Sequence, residues 1–492
     1  MKPMKNRITI LVIAAASLLA LPVTIAHAAA PYETYSYDSM GNAIPSQAGY
    51  APERAVSGYD LGVGAMDAPE DIFMADDGLF YIVDSGNNRI IAADSELTSA
   101  VRTYSEFRYE DGTVTTLNQP KGIYVCAEKD RMYVADTENS RVLVTTLGGE
   151  VVSELSYPDS PIYNSPTFRP QKVIADKSGN VYTIVNNTTG AAMFSPDGEF
   201  TGFYGANRVQ PTAEVIGNYF RSFFMSDEKK LSRIRSIPTA ITGFDISGDF
   251  VYTCTASNTQ QTDTVKKLNA AGKNIFSKLD VIFGDRKPMY DTSHNQLLAS
   301  AMTDIEISSD GCINCLDLTM GRIFRYDEDG ELMFIIGGKA EQLGGFDTVS
   351  AIESYGERLY ASDSVKDTIT VFRETSFGRA VNKAVSLYGQ GYYEEALEPW
   401  YEVLSRDGNY RRANTGVAMA LLRKGDYEGA MEYAKKADSS EIYNKAFEGY
   451  RREFLSEHFG RIFLGAAVVC AAGFAVFRLR KKRRSSRGGE PQ

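Results

Sequence analysis

Histidine is almost missing from this sequence, with three in 492 residues, at positions 27, 294 and 458. A zinc site made of several imidazoles from one chain is therefore excluded. So is a nucleophile activated by a neighbouring histidine, since neither G-x-S-x-G nor H-E-x-x-H occurs. Cysteine is nearly as scarce, with five residues, so no dense disulfide framework exists and an apolar core must hold the fold together. Cys312-Ile313-Asn314-Cys315 has the spacing of a redox pair, but it lies in an apolar, strand-like run. Residues three apart on a strand point to opposite faces, so two buried strand cysteines are expected. Tryptophan occurs once, whereas tyrosine (29) and phenylalanine (25) are plentiful, a balance that favours strands.

Basic charge is missing from the middle of the chain and concentrated at its ends. The opening, MKPMKNRITILVIAAASLLALPVTIAHAAA, has a basic head, an apolar stretch and a small-residue end at Ala26-His27-Ala28. It reads as a secretory signal peptide over residues 1–30. It holds no cysteine for lipid attachment. Near the other end, Ile462–Phe477 is uncharged and is followed by Arg478, Arg480, Lys481, Lys482, Arg483, Arg484 and Arg487. An apolar helix with a basic cluster behind it predicts a single membrane span over 459–479, an external N-terminal domain and a cytoplasmic tail over 480–492. The expected setting is the plasma membrane of a Gram-positive bacterium. The net charge of −11 then leaves about −20 on residues 31–477, which argues against nucleic acid or anionic lipid as partners of the outer part.

Between these ends the chain repeats itself. Asp76–Asp94 reads DDGLFYIVDSGNNRIIAAD: two short apolar runs around a polar knot, Asp84-Ser85-Gly86-Asn87-Asn88-Arg89. This is a hairpin, and one hairpin cannot bury a face alone. Fifty-two residues on, Asp136-Thr137-Glu138-Asn139-Ser140-Arg141 repeats the pattern D-[ST]-x-N-x-R. Asp317 with Arg322, and Asp363, mark later and weaker copies, and in all six units of three or four short strands are readable. The pattern resembles the NHL repeat. The resemblance covers roughly residues 60–376 and implies an all-β, six-bladed propeller. The sixth unit is one strand short, so residues 31–59 are expected to close the last blade through Tyr35-Ser36-Tyr37 or Arg54-Ala55-Val56. Residues 207–235, whose apolar positions have helical spacing, form an insertion between the third and fourth units.

After Phe377 the period changes. Gly391, Tyr393, Ala396 and Trp400 recur 34 residues later as Gly425, Tyr427, Ala430 and Ala434. The spacing resembles the tetratricopeptide repeat (TPR) and implies a small all-α module over 378–458. Glycine allows the tight turn between helices, tyrosine fills the groove and alanine lets the backbones approach.

Some six-bladed relatives are enzymes. Lactonases of this shape hold a divalent cation with channel carboxylates, and amidating lyases of the NHL type use histidine-bound metal. The single propeller histidine, His294, excludes the second arrangement. For the first, a cluster of three or more carboxylates facing the axis is the discriminating sign. Asp84, Asp136, Asp317 and Asp363 sit at strand ends, where an aspartate accepts hydrogen bonds from turn amides. Asn87, Arg89, Asn139, Arg141 and Arg322 are read with them as structural repeat turns, with no catalytic residue, metal or cofactor called. The expected function is an extracytoplasmic binding or scaffold protein with protein partners, accessory to a transporter or envelope complex. A calcium-dependent lactonase or hydrolase, and a binder of wall polymer or sugar, are the alternatives.

Overall fold

The computed structural model describes residues 30–38, 40–163, 165–186, 188, 190–205, 240–256, 264–276, 281–291 and 295–485. The predicted signal peptide (Ala30 apart), the 207–235 insertion, His27 and His294 lie outside them. Six antiparallel sheets form a ring; the first five hydrogen-bond their strands in chain order from the axis outwards, and the sixth takes its outermost strand from the N-terminal segment. The inner strands are Pro69–Met74, Pro120–Cys126, Pro170–Ala175, Ile241–Ser247, Met302–Ile307 and Val349–Tyr355. Each neighbours the next, and the last neighbours the first. The fold is a six-bladed β-propeller.

Closure comes from the N-terminus. Tyr50–Ser57 pairs antiparallel with Thr368–Glu374 as the outermost strand of blade 6, so the segment containing Arg54-Ala55-Val56 supplies the missing strand. Tyr35–Tyr37 instead pairs with Ala43–Pro45 in a separate hairpin beside blade 5. Joining first strand to last removes the open edge on which another chain could pair. Between blades the core is a series of apolar wedges. Cys312, just before the strand Ile313–Asp317, and Cys315, within it, fall in different wedges.

Five helices follow: α1 (Ser376–Gly389), α2 (Leu397–Arg406), α3 (Arg411–Lys424), α4 (Tyr427–Lys436) and α5 (Ser440–Ser485). The Thr375 hydroxyl caps α1, accepting from Gly378 N at 2.9 Å, and donates to Ala48 O of the closing segment. Gly391 and Gly425 have φ of 88° and 85°, a conformation that favours glycine, at the two inter-helix turns. Ala396, Trp400 and Ala430 are fully buried, while Tyr393 and Tyr427 are half-buried. The helices do not stand apart as a stalk. Phe334, Ile336, Phe346 and Phe372 of blades 5 and 6 share one apolar cluster with Phe377, Val381, Trp400 and Val417. The last helix passes 458/459 and 479/480 without a break, and Ser440–Arg483 is long and apolar enough to cross a membrane.

Candidate functional site

Three places gather polar chemistry: the repeat turns, the propeller axis, and the joint between blade 5 and the helices.

At the turns, Asp84 and Asp136 are fully buried. Asp84 Oδ1 accepts from Asp67 N at 2.7 Å, and Asp136 Oδ1 from Asn118 N at 2.8 Å. Each donor amide lies in the loop entering its blade's inner strand. Asp317 and Asp363 do the same for Ala301 N (2.8 Å) and Asp347 N (2.7 Å). The arginines complete the device in blades 1 and 2. Arg89 Nε meets Asp84 at 2.6 Å and its guanidinium donates to Val63 O and Ala65 O. Arg141 Nε meets Asp136 at 2.8 Å and donates to Thr116 O. Asn87 and Asn139 donate to the same loops, at Ala65 O and Thr116 O, each at 3.0 Å. Blade 5 departs from this pattern. Arg322 turns away from Asp317 and meets Asp285 (2.7 Å) and the Tyr35 hydroxyl (2.8 Å), tying down the N-terminal hairpin. With its carboxylate buried and no arginine on it, Asp317 is pushed up to about 6 by desolvation.

At the axis stand six ionisable residues that local motif reading passed over. Lys172 Nζ lies between Asp71 Oδ1 (2.5 Å) and Asp304 Oδ1 (3.1 Å). Two residues further along the inner strands come Asp245, Glu306 and Glu353, facing Phe73, Tyr124 and Ile174 across a cavity of about 40 Å³. Five carboxylates round the axis meet the discriminating sign for a lactonase-like site. Their bonding points elsewhere, because four of them are stitched to the next blade. Asp71 accepts from Ile123 N (2.9 Å), Asp245 from Ile307 N (2.7 Å), Asp304 from Ile352 N (3.0 Å) and Glu353 from Met74 N (3.1 Å). The fifth, Glu306, is held by Asn314 (2.5 Å) and Ser354 (2.6 Å). Burial pushes Asp71 up to about 6, Asp245 to about 7 and Glu306 to about 8, and it also holds Glu353 well above the usual carboxylate range. Among the described residues no three His, Cys, Asp or Glu side chains are placed to hold a metal ion. The cluster can staple blades together and hold protons.

At the joint, the blade 5 turn Asp327–Glu331 enters the face made by α1, α3 and α5. Arg412 meets Asp327 at 2.7 Å, both largely buried, and the Tyr410 hydroxyl donates to Met333 O at 2.8 Å. Cavities of about 380 and 370 Å³ flank Arg412, lined by Tyr388, Tyr410, Thr415 and Met419 on one side and by Asp310, Ser386 and Tyr393 on the other. The face of α1, α3 and α5 is thus taken up by the propeller. On the outward side, Tyr401 of α2 and Tyr433 of α4 stack edge to face, 6.1 Å apart.

A family model for the NHL repeat matches residues 117–144, which include Asp136, Asn139 and Arg141 of blade 2. No curated protein matches the chain. Among solved structures, virginiamycin B lyase from Staphylococcus aureus is 12% identical, with 63% of this chain and 97% of that one covered and a TM-score of 0.36. Hydrazine synthase of Kuenenia stuttgartiensis gives 12% identity, coverage of 63% and 96%, and a TM-score of 0.37. A structural-genomics protein of unknown function from Bacteroides thetaiotaomicron gives 13%, coverage of 63% and 70%, and a TM-score of 0.40. Likenesses at this level assign neither an activity nor a ligand. What this chain has in common with the family model is one blade's repeat, on a propeller of six.

Proposed function

We propose that this chain is a non-catalytic binding scaffold, fixed to a membrane by α5 and presenting the propeller and the TPR-like helices to protein partners on the outer side. One observation carries the reading: blades 5 and 6 share a core with the helices, and the last of those helices continues directly into an exposed apolar segment. Propeller, module and anchor then move as one body, which suits an accessory subunit that holds a partner at fixed height above a transporter or envelope complex. The basic tail after the span supports an orientation with the N-terminal part outside. The face of α1, α3 and α5 is filled in cis, so docking on the module falls to α2 and α4, around Tyr401 and Tyr433.

Deleting 380–458 is an unsuitable test, because it would bare the shared core. Surface changes serve better. Affinity capture from solubilised membranes with Tyr401→Glu and Tyr433→Glu is expected to lose the partners that the parent chain retains. Unchanged capture moves docking to the propeller, and release of the chain by alkaline carbonate removes the anchor. A calcium-dependent hydrolase is the second reading, favoured by the five axial carboxylates. Calcium-dependent lactone hydrolysis by the purified protein, abolished by Asp245→Ala, would establish it.

A further inference from the structure

Beside the blade 5 turn, one guanidinium stands in a cavity without a counter-ion. Arg411 and Arg412 are neighbours at the start of α3, and both line the cavity of about 380 Å³ next to the N-terminal hairpin. Arg412 is committed to Asp327, at 2.7 Å. Arg411 is half-buried, and its Nε donates to Ala437 O at the end of α4, at 3.2 Å, which holds the side chain in place. Among the described residues its two terminal nitrogens have no acceptor, and no carboxylate pairs with it. A second cavity, of about 340 Å³, shares Tyr37, Arg286, Glu331, Leu332 and Arg411 with the first, so Arg411 stands where the two adjoin.

The lining selects the chemistry of what fits. Three guanidinium groups (Arg286, Arg411, Arg412) and three carboxylates (Asp329, Glu331, Glu441) line the first cavity. A simple anion entering it meets the carboxylates, and a simple cation meets the guanidinium groups, so neither gains a clear attraction. A molecule that carries one group of each sign can satisfy both. Leu332, Met419 and Ile442 add apolar wall. The Tyr388 hydroxyl lines the same space and has no hydrogen-bond partner among the described residues. An apolar lining with a few placed polar groups, at this volume, is the usual form of a small-molecule site.

We infer that this cavity binds a free α-amino acid with an apolar side chain. The carboxylate takes the two terminal nitrogens of Arg411 as a fork, a geometry that a planar guanidinium matches and a lysine does not. The ammonium turns to Glu331, which lines both cavities, and the side chain lies along Leu332 and Met419. The site is separate from the outer face of α2 and α4, and it depends neither on partner docking there nor on the membrane anchor.

Isothermal titration calorimetry of the full chain in detergent tests this. L-leucine and L-phenylalanine are expected to bind. Leucinamide and N-acetyl-leucine, which each lack one of the two charges, are expected to bind at least about tenfold more weakly. Arg411→Gln is expected to abolish the binding of L-leucine, and Glu331→Gln to narrow the gap between L-leucine and N-acetyl-leucine. Thermal melts show whether the variants are folded, and the analogue series on the parent chain is decisive without them. No heat from either amino acid, equal affinity for L-leucine and its amide, tighter binding of leucyl-leucine than of L-leucine, or undiminished binding by folded Arg411→Gln overturns the assignment.

Discussion

Asp136 shows how one side chain can serve three neighbours. It is fully buried, and its two oxygens accept from Asn118 N, Asn139 Nδ2 and Arg141 Nε, each at 2.8 Å. Asp136→Ala removes the acceptor of Asn118 N and Arg141 Nε while Arg141 keeps Glu154 and Thr116 O, and is expected to cost about 1–3 kcal/mol, read from the shift of the urea midpoint. Lys172→Met is expected to cost more, roughly 3–5 kcal/mol, because Asp71 and Asp304 then face each other with no cation between them. The axial acids also set a pH dependence. Asp71, Asp245 and Glu306 are raised to about 6, 7 and 8 in the folded chain, above the usual carboxylate range. The folded state therefore binds more protons than the unfolded one, and stability falls as pH rises. Their contribution is complete below about pH 4 and is lost as pH rises towards about 8. Asp94, lowered to about 2 by turn hydrogen bonds, works the other way, and its contribution is lost as pH falls below about 4. Thermal melts are expected to show the midpoint falling between pH 5.5 and pH 8, and Glu306→Gln to flatten that slope. A midpoint that rises over the same range would sink the assignment.

At the scale of elements, local chemistry and long-range packing divide the work. The D-[ST]-x-N-x-R turns were legible because Asp, Asn and Arg act within one hairpin and on the loop just before it. Arg322 was misleading for a tertiary reason: its register matches Arg89, but the N-terminal hairpin offers it Asp285 and Tyr35 instead. Among the helices, Gly416 lies against Trp400, and an added methyl would come within 2.4 Å of the indole nitrogen. Gly416→Ala is expected to cost about 1–3 kcal/mol by overpacking, even though alanine is the better helix former, and differential scanning calorimetry checks the sign.

At the scale of the molecule, the ring is closed by one eight-residue strand. Removing residues 31–57 leaves Thr368–Glu374 as an open edge and strips Tyr50 from the joint with the helices. The expected outcome is loss of a single cooperative transition together with higher oligomers, seen by size-exclusion chromatography of the shortened chain. The axial cluster also belongs to this scale. Asp71, Lys172, Asp245, Asp304, Glu306 and Glu353 come from five of the six blades and meet only when the ring closes. Their trace in the sequence is a charged residue at matching places of otherwise apolar runs, as in Met302-Thr-Asp-Ile-Glu-Ile, and no single run reveals its partners.

The sequence by itself determined the propeller, its count of blades and the change to helices near Phe377, because period, turn chemistry and apolar patterning are local and repeat. Tertiary structure decided the rest. Only in the folded chain do five carboxylates and a lysine converge on one axis, and only there does the blade 5 turn fill the face of α1, α3 and α5. Both depend on side chains brought together across tens to hundreds of residues, and such meetings are products of ring closure and shared burial that no local pattern encodes.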